Sequence, residues 1–386
     1  MGQKIKFFMI LLGISVLPTL LIWIPFVLRL ENFWTIPLPP NGMASVVANF
    51  DGPIYIALAK TFYNVEAIAQ TYSFPLPHEY YAAHFPLYPF LIRLFSTVTN
   101  YPYSMLFVSV AASFLAIYFF HKLISDHVNK NEALWFTLVF AVFPARWLIV
   151  RSVGSPEPLF LASIISSVYY FSKKNYFAAG IWGAVAQFTK PPGILLFIAY
   201  ILAISFPIFK KLALTSFSNL SHHIMFKKRL PLLLIPIALT LIFIFYSQKF
   251  GSFFAYFKSG DNIHLFFPPF QIFNYSQPWV NTFWLEDIIF IYLLGVLGIF
   301  KLIEKKEYDI AWFVGVFFFT LIFISHRDLL RYALPIIPFL FVAFSETISS
   351  KYFKIAMAVI VIPIFLNCIA FISQNVMPIS DWGPLL

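Results

Sequence analysis

Long apolar runs are the feature of this 386-residue sequence that most constrains its fold. About 20 consecutive apolar residues suffice for a helix to cross a bilayer, and several runs here reach that length. Charged residues make up only 11% of the chain, against roughly 25% in a soluble protein. The pattern predicts an all-α polytopic membrane protein that forms one integral membrane domain over residues 1–386.

Length and apolarity predict about eleven transmembrane helices. Their expected positions are 7–29, 102–124, 133–150, 156–172, 176–189, 191–209, 231–247, 286–303, 309–325, 329–346 and 353–373. The fifth and sixth spans are short and meet at the sequence KPPG, which begins at Lys190. Two long extracytoplasmic loops are expected, at 30–101 and 248–285.

The distribution of Lys and Arg predicts the orientation of these spans. With the N-terminus in the cytoplasm, sixteen of the 26 Lys and Arg residues fall on the cytoplasmic side and ten on the outer side. This bias agrees with the positive-inside rule. We therefore expect a multi-pass integral membrane protein, in the cell membrane if the organism is prokaryotic, with its functional face outside.

The outer cations differ in type from the inner ones. Six of the ten are Arg, whose planar guanidinium suits a phosphate or a carboxylate. The outer face is therefore predicted to bind an anion. The net charge of +10 does not predict nucleic-acid binding, because the basic residues are spread between apolar segments.

Cysteine and histidine usage argues against metal chemistry. The single cysteine, Cys368, excludes a disulfide framework and a cysteine-based metal site. No cluster of His, Asp or Glu shows the spacing of metal ligands. The sequence predicts neither a metal nor a cofactor.

The first outer loop contains an acidic residue beside two chain-breaking residues, in the stretch NFDGPIYIALAK. One interpretation is that Asp51 only caps a helix that begins at Gly52 and Pro53. The other is that Asp51 is a general base at the outer membrane surface, and a cap would orient it. Two stretches of this loop, PIYIALAKTFYN and HFPLYPFLIRLF, are expected to form helices at the membrane interface.

The second of these stretches also offers polar groups. It is either an anchor with aromatic side chains at headgroup depth, or a segment that turns His84 toward Asp51. On the second interpretation, His84 and Tyr88 are candidate substrate-binding residues.

Further polar residues stand near the expected outer ends of spans. On one interpretation, Arg151 is a snorkelling cation and Glu157 an acid at the start of a helix. On the other, both are functional groups, because ionisable residues are costly within a membrane and tend to mark function. Lys190 either lies in a turn that sets the membrane topology or is a cation that faces a bound anion. Arg327 and Arg331 share a helix face at i and i+4, which favours phosphate binding.

Four stretches resemble, in the same order, motifs of the PIG-V-like mannosyltransferases, which include GPI mannosyltransferase 2 and belong to the GT-C glycosyltransferases. The family segment W-D-x-x-x-Y-x-x-I-A is similar to NFDGPIYIALAKTFYN, and F-F-P-L-x-P-x-L-x-R is similar to HFPLYPFLIRLF. The segments F-P…Y-S-E-S-L-F and R-S-N-G-x-L are similar to FPARWLIVRSVGSPEPLFL and FTKPPGILL. The resemblance covers most of the first 200 residues.

The resemblance implies a GT-C fold and an inverting transfer of a sugar, mannose in this family. The donor would be a polyprenyl-phosphate sugar drawn from the bilayer, and the acceptor a hydroxyl of a glycan, lipid or protein. A carboxylate of the first outer loop, here Asp51, would act as the catalytic base. From their positions in the sequence, we expect the outer cations Arg151, Lys190, Arg327 and Arg331 to be the candidates that hold the phosphate. Glu157, His84 and Tyr88 are the candidate substrate-binding residues.

Two other classes remain open at this point. A transporter or flippase of lipid-linked sugars would also need many spans and a broken helix. However, transporters commonly show paired repeats and a midplane site, whereas the distinctive polar residues here gather on one side. In a non-catalytic membrane subunit, Asp51 would only be a helix cap.

Overall fold

The computed structural model describes residues 2–74, 76–214, 227–260, 265–274, 276–277, 280 and 285–386, and its regular structure is almost entirely helical. The first part contains α1 (Gly2–Val27), α2 (Met43–Val47), α3 (Gly52–Thr61), α4 (Val65–Thr71), α5 (Leu87–Phe95), α6 (Tyr101–Ile124), α7 (Lys130–Val142), α8 (Ala145–Arg151) and α9 (Glu157–Ser172). The second contains α10 (Tyr176–Thr189), α11 (Ile194–Leu214), α12 (Leu234–Phe250), α13 (Leu285–Glu304), α14 (Tyr308–Leu321), α15 (Leu329–Ala333), α16 (Ile337–Ala343), α17 (Ser345–Ser349) and α18 (Lys351–Gln374).

Strands are almost absent from this part of the chain. Among the described residues, the sheet consists of β1 (Asn32–Phe33) and β2 (Ile36–Pro37), which pair antiparallel in a short hairpin. Short 3-10 helices complete the regular structure, at His78–Ala83, Pro191–Gly193, Leu230–Leu233, Ala255–Lys258, Gln271–Phe273, Leu334–Ile336 and Gly383–Leu385.

Several helices are long and apolar enough to cross a membrane. In the described part of the chain, four segments qualify: Gly2–Val27, Tyr101–Ile124, Lys227–Phe250 and Lys351–Gln374. Helices α7 and α8, which are bent by 70° relative to each other, add a fifth if they count as one span. The prediction of an all-α membrane protein is therefore confirmed in its coarse form.

By length and composition, four or five of the described helical segments could cross a membrane, which is fewer than the predicted eleven. The remaining predicted spans also contain helices, but some of these helices are short. Helix α14, for example, has only 14 residues. At a rise of 1.5 Å per residue, such a helix is about 21 Å long, which is less than the ~30 Å hydrocarbon core. The predicted break at KPPG is present, since α10 ends at Thr189 and α11 begins at Ile194.

The two stretches of the first outer loop predicted to form interfacial helices correspond to α3 and α5, which differ in their surroundings. Helix α3 is buried from Gly52 to Ala59, so it packs inside the protein. Helix α5 leaves Phe90 and Leu94 about half exposed. Only α5 therefore presents an apolar face of the kind expected at a membrane interface. The predicted second loop, 248–285, lies partly outside the described residues.

Ion pairs join the connections at one end of the helices. These pairs are Lys173–Asp126 at 2.9 Å, Lys174–Asp309 at 2.8 Å and Lys305–Glu346 at 2.9 Å, and at the same end Nε2 of His127 contacts Oε1 of Glu307 at 3.4 Å. The core lies between the ends, where α9 packs against both α6 and α10, and α10 also packs against α12. The other end of these helices carries the polar residues described next.

Candidate active site

Asp51 occupies the N-cap position of α3, but its side chain makes no capping hydrogen bond. The carboxylate is 28% exposed, so it remains accessible. Its neighbour Gly52 lies so close to the preceding turn that an added Cβ would come within 2.1 Å of the Val47 carbonyl oxygen. The glycine therefore allows the close approach of α2 and α3. Since the Asp51 side chain makes no capping bond, helix capping alone does not account for the carboxylate.

His84 is the nearest ionisable partner of Asp51. Its Nε2 lies 3.6 Å from Oδ2 of Asp51, and its side chain is 4% exposed. The rings of Tyr55 and Tyr80 flank the imidazole at centroid distances of 4.9 and 5.4 Å. The hydroxyl of Tyr63 donates to the backbone carbonyl of His84. The imidazole is therefore held in place by its aromatic neighbours and orients the Asp51 carboxylate.

The environment of Asp51 keeps it ionised at neutral pH. Burial by itself raises the pKa of the Asp51 carboxyl, but the contact with His84 and the charge of Arg331 lower it by more. The net pKa lies below the usual value for Asp. A carboxylate that is ionised and partly exposed can accept a proton from a hydroxyl held against it.

Glu157 is at the centre of a second group of charges. It begins α9, and its Oε1 lies 2.6 Å from Nζ of Lys190 and 3.0 Å from Nε of Arg331. Its other oxygen, Oε2, accepts a hydrogen bond from the hydroxyl of Ser155. Because Glu157 is almost fully buried, the two cations offset the cost of keeping its charge out of water.

Arg331 connects the two groups of charges. Its guanidinium carbon lies 4.7 Å from the ring centroid of Phe50, the residue directly before Asp51. Glu157 contacts the guanidinium at the inner nitrogen, Nε. Among the described residues, no hydrogen bond or ion pair engages the terminal nitrogens Nη1 and Nη2. These two nitrogens form the fork that suits a phosphate.

Asn49 fastens the Asp51 segment to the C-terminal part of the chain. It is fully buried, and its amide nitrogen donates to the carbonyl oxygens of Ser45 at 2.8 Å and Ile372 at 2.9 Å. The backbone N–H of Met377 donates to the carbonyl of Ala48 at 2.8 Å. The end of α18 therefore positions the turn that carries Asp51.

The structure brings some predicted residues together and places others elsewhere. Asp51, His84, Glu157, Lys190 and Arg331 lie in the two connected groups. Within them, His84 and Glu157 support other side chains more than they face a substrate, because both are buried.

Three predicted residues do not join these groups. Arg151 is buried, and its guanidinium donates to the carbonyl oxygens of Ala141 and Ser15, so it stabilises the helix packing instead of a donor phosphate. Tyr88 is also fully buried, with its hydroxyl 2.7 Å from Ser109 Oγ, and cannot contact a substrate. Arg327 is exposed to solvent beside the site.

Sequence reasoning missed several residues of the site. Ser155 and Asn49 are short polar side chains whose partners lie far along the chain, and no sequence pattern singles them out. His326 lies beside the site, since its ring centroid is 5.1 Å from that of Tyr332, the residue directly after Arg331, and its Nδ1 accepts the backbone N–H of Asp328 at 2.9 Å. Its position five residues before Arg331 was an available signal.

No protein-family model and no curated protein sequence matches this chain. Groups of three or more His, Cys, Asp or Glu residues that could hold a metal ion do not occur among the described residues. The arrangement itself offers a partly exposed carboxylate, an imidazole that orients it, and two cations held by a buried glutamate.

Proposed function

We propose that this chain is a membrane glycosyltransferase that moves a sugar from a polyprenyl-phosphate donor to the hydroxyl of an acceptor. The observation that carries the proposal is the state of Asp51, which is ionised, partly exposed and free of any capping bond, near the cation Arg331. The motif resemblance supports the same reaction and suggests mannose as the sugar.

In the proposed reaction, Asp51 removes the proton from the acceptor hydroxyl as its oxygen attacks the anomeric carbon of the sugar. A new glycosidic C–O bond forms while the bond between the anomeric carbon and the phosphate oxygen breaks. The configuration inverts because the displacement is single. The leaving group is an anionic polyprenyl phosphate that needs no proton, so one carboxylate suffices, unlike the pair used by glycosidases.

The phosphate charge that develops during this step needs fixed cations. Arg331 offers its two terminal nitrogens, and Lys190 offers N–H groups beyond the one that contacts Glu157. Glu157 fixes both cations before the donor arrives, so little reorganisation is needed when the charge forms. His84 orients the Asp51 carboxylate.

The proposal also assigns a topology. The chain would cross the bilayer about eleven times in a GT-C arrangement, with the shorter helices packed within it and the first outer loop at the interface. The site would face the extracytoplasmic side. Support comes from the separate location of the lysine-rich connections, whose ion pairs lie at the opposite end of the helices from the site.

The variant Asp51→Asn tests the reaction. In liposomes that contain a radiolabelled polyprenyl-phosphate mannose and neutral mannosides as acceptors, we expect the rate of product formation to fall by about 10²–10⁴-fold. The fold should persist, because the carboxylate makes no capping bond. The matched control is Glu66→Gln, an exposed carboxylate of the same loop, which should retain full activity.

Two outcomes would contradict this function. Transfer by Asp51→Asn at the wild-type rate would exclude Asp51 as the base. Movement of the intact donor across the bilayer, without formation of a glycosidic product, would instead indicate a flippase.

A further inference from the structure

A groove of about 830 Å³ separates the end of α4 from the last residues of the chain. One wall includes Gln70, Tyr72 and Phe74, and the other includes Asp381 and Trp382. None of these residues belongs to the Asp51 site. The volume is within the range of ligand pockets, about 300–1,000 Å³.

The walls of the groove combine aromatic rings with short polar side chains. Tyr72 and Phe74 are nearly parallel, with centroids 5.6 Å apart, and Trp382 lies on the facing wall. Gln70 can both donate and accept hydrogen bonds, and Asp381 can accept them. Flat rings pack against the C–H faces of pyranose sugars, while amides and carboxylates bind sugar hydroxyls. The lining is therefore suited to a carbohydrate.

The charge of the groove distinguishes its ligand from the lipid-phosphate donor. No Lys or Arg lines it in the described part of the chain, and its one charged residue is Asp381. Lys60 lies nearby, but its ammonium donates to the carbonyl of Pro384 at 2.7 Å. A phosphate would find no cation in this lining, whereas the cations Lys190 and Arg331 lie at the other site. The groove is suited to a neutral ligand.

The groove is connected directly to the backbone that carries Asp51. Val376, on the groove wall, forms a β-bridge with Asn49, and Met377 donates to the carbonyl of Ala48. Asn41, which precedes α2, lines the groove as well. A chain bound in the groove therefore lies against the segment that ends at the proposed base.

We propose that this groove binds the acceptor, and that the acceptor is a neutral oligosaccharide chain. The role of the bound chain as acceptor rests on the proposed function. The binding of a carbohydrate in the groove does not depend on it. The C-terminal segment 376–385 forms one wall, and it is held by the bonds that Lys60 and Tyr72 make to Pro384. The donor would bind at the cations and the acceptor would approach Asp51 from the groove.

The test measures binding to the full-length protein in nanodiscs by calorimetry. The probes are neutral tetrasaccharides of mannose and of glucose, and an uncharged peptide rich in Ser and Tyr. We expect a mannose or glucose tetrasaccharide to bind with a Kd of about 1 mM or tighter. Trp382→Ala and Asp381→Asn should each raise that Kd at least tenfold. Asparagine retains an oxygen for the bond from the N–H of Gly383 to Asp381, so the turn should persist.

The matched control is Trp34→Ala, since Trp34 is 80% exposed in the β1–β2 hairpin, away from the groove lining. It should leave the Kd unchanged. Asp51→Asn should also leave the Kd unchanged while it lowers the rate of transfer by about 10²–10⁴-fold, so failure of the groove and failure of the base are distinguishable. In transfer assays, Trp382→Ala should raise the acceptor KM with little effect on kcat.

The inference would be overturned if neither tetrasaccharide bound, if the peptide bound in their place, or if Trp34→Ala weakened sugar binding as much as Trp382→Ala. If the tetrasaccharide bound in the groove but Asp51→Asn kept full transfer, the groove assignment would stand and the base would fall.

Discussion

At the scale of single residues, Asp51 and Glu157 show how two carboxylates in one protein acquire different roles. Asp51 is partly exposed, and its nearest ionisable partner is His84. Glu157 is buried and contacts the cations Lys190 and Arg331. The first environment leaves a carboxylate that can take up a proton. The second uses the carboxylate to hold positive charge in place.

Glu157→Gln should destabilise the protein strongly. Removal of one charge from a buried cluster leaves its partners uncompensated, at a cost of about 3–5 kcal/mol. Thermal unfolding in detergent measures the change. The control is Glu346→Gln, where an exposed glutamate pairs with Lys305 and little change is expected. Equal effects of the two variants would show that Glu157 does not hold the cations.

Acidification should destabilise the protein through His326. Burial, followed by the charge of Arg331, lowers the pKa of His326 to about 4, against about 6.5 in an unfolded chain. Between these values the unfolded chain binds the proton first, so the contribution to stability is complete above about pH 6.5 and is lost as the pH falls toward 4. Thermal unfolding between pH 4 and 8 measures this slope.

His326→Asn should flatten that slope, because asparagine retains an acceptor for the N–H of Asp328 but does not titrate in this range. An unchanged slope in the variant would assign the acid sensitivity to another group.

At the scale of helices, a glycine sets how closely α10 packs against the segment before α12. Lys190 is the C-cap of α10, and α10 lies against the segment that leads into α12. The contact is close at Gly180, where an added Cβ would come within 2.1 Å of the Pro231 carbonyl oxygen. The small residue therefore allows α10 to approach the segment that leads into α12.

Gly180→Ala should separate these elements. We expect a loss of about 1–3 kcal/mol in unfolding free energy, as for other overpacked sites. The control is Gly315→Ala in α14, where an added Cβ meets nothing within 4 Å. There, better helix propensity should stabilise by up to about 1 kcal/mol. Thermal unfolding measures both variants. Equal changes in the stability of Gly180→Ala and Gly315→Ala would refute the packing argument.

At the scale of the whole molecule, charged groups collect at two ends of the helices. Ion pairs such as Lys173–Asp126 and Lys174–Asp309 join connections at one end. The Asp51 and Glu157 groups join connections at the other. This separation is what a transferase with a site on one membrane face requires.

Cysteine labelling in sealed vesicles tests this separation. Cys368 is fully buried, so the background reaction should be low. Val98→Cys, in the exposed connection between α5 and α6, should react with an impermeant maleimide from the site face. Lys174→Cys should react only after the vesicles are opened. Labelling of both from one side would contradict the proposed topology.

The sequence alone determined the helical architecture, because apolar runs, prolines and glycines act within one segment of chain. It therefore predicted the helices, the break at Lys190 and the candidate Asp51. Only the tertiary structure decided which cations meet a carboxylate, because Arg151 and Arg331 are the same residue type with similar apolar neighbours. Packing turned Arg151 toward the carbonyl oxygens of Ala141 and Ser15 and placed Arg331 against Glu157. Such long-range contacts depend on how whole helices pack, which local sequence patterns do not encode.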